Sequence, residues 1–186
     1  MRLFLILILF SFGSVFASEI RHFDIRTMER LGNELARRQM QGSKGKAESP
    51  IQARAKQTAI AALKGKLSNN RYNYEVLNDP DGSGFLVYAL IAGKSVIGGH
   101  VRVTVSRDGS KVERIDRLSL GVQQSGVPAG ATQVLSSLFD PDNTIPDETY
   151  VYTNRITGVP IYVGFKDNSI WKIENGKITK LKEKLH

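Results

Sequence analysis

"GGHVRVTVSRDGSKVERID", residues 98–116, decides how the chain is read. Val101, Val103 and Val105 alternate with polar residues, the pattern of a strand whose successive side chains point to opposite faces. Asp108-Gly109 is a hairpin signal, because a tight turn needs left-handed backbone that these residues tolerate. A two-residue turn at this point pairs Arg107 with Ser110, Val105 with Val112 and Thr104 with Glu113. The three valines then face the core, and His100, Arg102, Thr104 and Ser106 face outward. The return strand loses step, since Ile115 falls opposite Arg102 on the polar side. A β-bulge near Glu113 or Arg114 is therefore expected, which restores Ile115 to the core opposite Val103.

The flanking sequence extends this texture. "YNYEVLN" (72–78), the turn Asp81-Gly82-Ser83-Gly84 and "FLVYALI" (85–91) precede the hairpin. "TYVYTNRI" (149–156), "VPIYVGF" (159–165), "SIWKIE" (169–174) and "KITKLK" (177–182) follow it, the last two joined by Asn175-Gly176. Each reads as a strand, and the connections are too short for helical crossovers, so the sheet is expected to be antiparallel. Segments 73–119 and 147–182 each offer roughly four strands, a faint sign of two related halves. Between them, "PAGATQVLSSLFDPD" (128–142) predicts a short helix ended by Pro141, with "SLGVQQSGV" before it as a loop.

Upstream the period changes. Ile25, Met28, Leu31 and Leu35 recur at helical spacing over Asp24–Gln41, and "QGSKGKAESP" (41–50) reads as a linker. Ser49 and Pro50 suit the cap and first turn of a second helix with an apolar stripe of Ile51, Ala55, Ala59, Ala62, Leu63 and Leu67. Its alanines favour close packing on a sheet. The fold class is thus α+β, N-terminal helices followed by a curved antiparallel sheet.

The first 17 residues, a basic Arg2, an apolar run and Val15-Phe16-Ala17 before Ser18, have the layout of a secretory signal peptide cut between Ala17 and Ser18. A retained anchor is the rival reading, but the run from Leu3 to Ala17 is short of the roughly 20 apolar residues a spanning helix needs. The expected organisation is 1–17 signal peptide, 18–49 basic helical segment and linker, and 50–186 α+β domain, in a periplasmic or secreted protein. With no cysteine in the chain, neither a lipid anchor on that residue nor a disulfide can form. Ser18–Tyr72 carries 12 Lys or Arg against five Asp or Glu, whereas Asn73–His186 carries 13 of each, so the mature excess of cations sits in the helices. That segment suits an anionic surface or an acidic partner. Nucleic acid is not expected, because no recognised binding motif accompanies the charge.

Little material for catalysis is visible. Of His22, His100 and His186, only His100 sits in an expected strand, so metal ligation by His and Cys has almost no donors. Asp140-Pro141-Asp142-Asn143 lacks the later glycine and glutamate of a calcium loop. No Gly-x-Ser-x-Gly elbow or nucleotide-binding glycine spacing occurs. Acidic residues near strand ends, Asp79, Asp81, Asp147 and Glu148, read as turn residues. Aromatic and basic residues give better material for recognition, and the candidate binding set is His100, Arg102, Tyr152, Arg155, Tyr162 and Trp171. Parity along its strand places Tyr162 on the outer face. No cofactor is implied.

The "GFLVY" strand (84–88), the hairpin at 98–113 and the "GVPIYV…WKIENGKI" stretch (158–178) resemble an uncharacterised family of secreted bacterial proteins. A weaker likeness, carried by the order of elements, is to PepSY and cystatin-like modules, which often bind or inhibit proteases. The resemblance implies an exported domain. Members of that family often carry cysteines after the hairpin, where this chain has "SLGVQQSGV". The expected function is a non-catalytic envelope protein that binds a protein or a cell-wall component; a hydrolase centred on His100 and a small-ligand or lipid carrier are the alternatives.

Overall fold

The computed structural model describes residues 19–42, 48–67, 71–82, 84–92, 96–118, 123–124, 137–140 and 143–181. The signal-peptide segment, with Ala17 and Ser18, lies outside them, as does 43–47 of the expected linker. The chain is α+β, and its described residues form three α-helices and mainly antiparallel sheets. Helices α1 (Ile25–Gln41) and α2 (Pro50–Leu63) come first. Strands β1 (Tyr72–Asn78), β2 (Gly84–Ile91), β4 (Val101–Ser106) and β5 (Val112–Arg117) form an antiparallel sheet in the order β1-β2-β4-β5. After helix α3 (Glu148–Thr157), β8 (Ile161–Phe165), β9 (Ile170–Glu174) and β10 (Lys177–Leu181) form a second sheet. Its fourth strand, β7 (Ser137–Asp140), runs parallel to β8, and a two-residue pair joins β3 (Val96–Ile97) to β6 (Gln123–Gln124).

Both early helices begin where capping chemistry directs them. Asp24 accepts from the Thr27 amide at 3.0 Å, and Ser49 with Gln52 closes a capping box over Pro50. Helix α1 buries Met28, Leu31, Gly32, Leu35 and Ala36, while Ile25 stays exposed. The buried stripe is thus narrower at its start than the sequence spacing implies. Helix α2 lays Ala55, Ala59 and Leu63 on Val76, Val87, Val101, Val103, Val105 and Ile115, one face of the first sheet. Ile51, expected in that stripe, is exposed.

The opening hairpin has the predicted bulge. Val103 pairs with Ile115 and Val105 with Val112, with the register shifting between Thr104 and Val105. Its turn differs from expectation. The Ser106 amide bonds to the Lys111 carbonyl and the Gly109 amide to the Ser106 carbonyl, so the loop contains four residues instead of two. Gly109 takes the left-handed conformation, φ 74°, and a Cβ there would meet the Ile51 carbonyl at 2.8 Å. Close approach of this loop to α2 explains the glycine, and Thr58 seals the contact by donating to the Gly109 carbonyl at 2.7 Å.

Two elements depart in type. "TYVYTNRI", expected as a strand, lies in α3, capped by Asp147 at its start and by left-handed Gly158 at its end. Every residue from Glu148 to Asn154 is buried, so no amphipathic period distinguishes helix from strand. The helix expected over 128–142 is overturned where it is described, because 137–140 is β7; the remainder lies outside the described residues. The core of this half gathers Met28, Leu31 and Leu35 of α1 with Tyr150 and Val151 of α3 and Ile161, Val163, Trp171 and Ile173 of the second sheet.

Candidate functional site

Strand register assembles a polar row that no linear motif announces. Glu75 pairs with Tyr88, Tyr88 with Arg102, and Arg102 with Asp116, one residue from each strand of the first sheet. This is the face opposite α2. Expected to be solvated, it is covered instead: His100, Arg102, Thr104, Asp116 and Tyr88 are all buried, because helix α3 and the segment before α1 lie over them.

Arg102 is the hub. Its side chain is wholly buried, with Nη1 donating to Glu148 Oε1 at 2.6 Å, and Nη2 and Nε donating to Asp116 Oδ2 at 2.9 and 3.2 Å. Nη2 also donates to the Arg21 carbonyl. These bonds use most of its five N–H donors. Burial opposes the guanidinium charge, but Glu148, Tyr88 and Asp116 outweigh it and keep the proton held above the ordinary arginine range. Tyr88 donates to the same Glu148 oxygen at 2.8 Å, and burial, then the Glu148 charge, push its phenol well up. Arg114 closes the row by donating to Asp116 Oδ1 at 2.6 Å.

The segment before α1 completes the cluster. Arg21 forks onto Asp79 at 2.8 and 2.9 Å and reaches Asp81, and its amide donates to Asp116 Oδ1 at 3.3 Å. Two guanidiniums stand over the Phe23 ring, Arg21 at 4.6 Å and Arg102 at 4.8 Å from its centre. Asp79 and Asp81, expected as turn residues, hold that turn and also anchor Arg21.

His100 has no basic role in this arrangement. Its Nδ1 accepts from the Ile91 amide at 3.2 Å, its ring meets Tyr152 edge-on at 5.8 Å, and its buried Nε2 has no hydrogen-bond partner among the described residues. Burial pushes its pKa down to about 4, so the ring is neutral at pH 7. Asp147 caps α3 through Oδ1, which accepts from the Thr149 amide at 2.7 Å, while its buried Oδ2 has no partner among the described residues. Burial, then the Glu148 charge, push this carboxyl up.

The other candidate binding residues scatter. Tyr152 is buried in α3 and Arg155 is exposed on its last turn. Trp171 is buried in the core, with Nε1 donating to Ser169 at 3.1 Å and the Lys180 amine 5.7 Å from its ring centre. Tyr162 lies half-buried on the opposite, outer face of the second sheet, as its parity predicts, paired with Lys172, whose amine sits 5.8 Å from the ring centre. Elsewhere, a groove of about 290 Å³ lies where α1 meets the start of α2, over Leu77 and Asn78 and rimmed by Arg30, Glu34 and Arg38. Sequence reading missed Arg21, Phe23, Tyr88, Asp116 and the inward role of Glu148. Only the hairpin register, which places Asp116 opposite Arg102, carried a signal for any of them.

Comparison with protein-family models, curated proteins and solved structures finds no match to this chain.

Proposed function

We propose that the protein is an exported, non-catalytic envelope protein that binds a protein or cell-wall partner through the outer face of its second sheet. The observation that carries this reading is Tyr162. It stays half-exposed beside Lys172, with Gly164, Ile170 and Thr179 on the same face by register, while α1 and α3 pack on the other face. A flat aromatic ring with an ammonium group beside it serves equally for stacking on a sugar or for anchoring a peptide. The signal-like first 17 residues and the likeness to secreted bacterial proteins support export. Exposed Arg26 and Arg30 on α1 would add attraction to an anionic surface.

The core gives no support to a hydrolase. His100 donates no hydrogen bond among the described residues and accepts only from a backbone amide, and the donors of Arg102 are taken by the protein itself. A photo-crosslinking residue placed at position 162 in the producing cells should trap one species, and the same residue at position 57 on α2 should not. Tyr162→Ala should abolish co-purification of that species without lowering the melting temperature. Equal trapping from both positions, or unchanged co-purification with Tyr162→Ala, counts against this face.

A further inference from the structure

We infer that residues 20–23 are the resident ligand of a peptide-recognition cleft, one built to take an Arg-x-aromatic segment from a separate protein. The segment has no regular secondary structure, and it is held as bound peptides are held. Its backbone is read on both sides, the Arg21 amide by Asp116 and the Arg21 carbonyl by Arg102. Its side chains are read separately. Asp79 receives the Arg21 guanidinium through two parallel bonds, and Asp81 adds a third. Phe23 packs against both that guanidinium and Arg102 and is itself buried. The reading groups come from the β1–β2 turn, β4 and β5, between 58 and 95 positions away in the chain.

These groups have supports of their own. Arg102 is fixed by Glu148 and Asp116, and Asp116 also accepts from Arg114. Asp79 accepts from the Asp81 amide at 3.1 Å, and its carbonyl accepts from the Gly82 amide. The cleft is therefore pre-organised, which is the condition for binding a ligand without first ordering the site. Phe23 also joins the main hydrophobic core, with Ile20 packed against it, but the start of α1 is capped by Asp24 through Thr27 and so does not itself depend on residues 20–23. Acid on the cleft and a forked arginine on the ligand set its chemistry: an extended segment with arginine and, two residues on, an aromatic ring. This face lies on the first sheet and is independent of Tyr162 on the second.

The test uses the full chain carrying Arg21→Ala and Phe23→Ala, with the labelled synthetic peptide Glu-Ile-Arg-His-Phe-Asp as probe, read by fluorescence anisotropy. The double variant should bind the peptide saturably and at least tenfold more tightly than the unaltered chain, whose own segment competes. Replacing the peptide's arginine with alanine, or adding Asp79→Asn to the variant, should weaken binding at least tenfold. A double variant that melts cooperatively yet shows no saturable binding overturns the inference, as does binding indifferent to the peptide's arginine. Loss of cooperative folding in the double variant also overturns it, by making the segment part of the core.

Discussion

The two four-stranded sheets are each preceded or flanked by a helix, but they use their second face differently. The first is covered on both faces: α2 lies on an apolar face of valines and alanines, while the other carries Tyr88, Arg102 and Asp116 beneath α3 and the N-terminal segment. The second is covered on one face, and Tyr162 and Lys172 remain at the surface of the other. Charge on the two sheets therefore has different worth. In the first it is desolvated and must be paired; in the second it is screened by water and cheap to change.

The sharpest test of that contrast is Arg102→Met. It leaves Glu148 and Asp116 buried without their shared cation, and about 3–5 kcal/mol of stability should be lost in urea unfolding, as for other broken buried pairs. A loss no greater than that of a surface substitution would erase the distinction between the sheets.

Acid titration probes the same covered face through His100. Its folded-state pKa of about 4 lies below the ordinary value of 6.5, so between these limits the unfolded chain takes up a proton that the folded one refuses. Stability is complete above pH 6.5, falls as the pH drops toward 4, and by then about 3 kcal/mol should be gone. His100→Gln should flatten the unfolding midpoint across that window. Asp147 works in the opposite sense, because its raised pKa makes the folded state hold a proton that the unfolded state releases at moderate pH, and stability then declines as pH rises. Asp147→Asn, which keeps the cap, should reduce that decline.

Helix packing gives a smaller effect. A Cβ at Gly32 would lie 2.4 Å from the Glu148 carbonyl oxygen and 2.5 Å from Val151 Cβ, so Gly32→Ala must push α1 off α3. About 1–3 kcal/mol is the expected loss, typical of overpacked cores, measured by thermal melting. At the other extreme stands Lys172→Ala on the open sheet. Despite the 2.9 Å bond from Lys172 to Glu174, the change in stability should stay within about 0.5 kcal/mol. A loss above about 1 kcal/mol would show that the second sheet's outer face is also held electrostatically.

Sequence pattern carried the parts of this fold whose faces differ in polarity. Valines against arginine and threonine located β4, and the broken parity at Ile115 located the bulge. Capping residues set the starts of α1 and α2. Pattern failed where both faces are buried. Alternation was present in β4, yet its polar side turned inward, because a polar residue faces water only if nothing long-range covers it. Helix α3 was lost for a related reason, since burial all round removes amphipathic contrast, although Asp147 and Gly158 marked its two ends. The Arg102 cluster joins residues 21, 88, 102, 116 and 148, and its geometry exists only once four separate pairings are set. Tyr162 was legible because its strand keeps one dry face and one wet one.

The bond between the Arg21 amide and Asp116 spans 95 positions, and this separation fixes an order of assembly. The N-terminus leaves the ribosome first, but its acceptors on β4 and β5 do not yet exist when it emerges. The backbone of Arg21 therefore stays unpaired with β4 and β5 until the whole hairpin is made and closed. Closing so large a loop is slow compared with local helix formation, so docking of this segment belongs among the last steps of folding. A chain interrupted before Asp116 would keep the Asp79 and Asp81 partners of the Arg21 side chain but lack the acceptor of its amide.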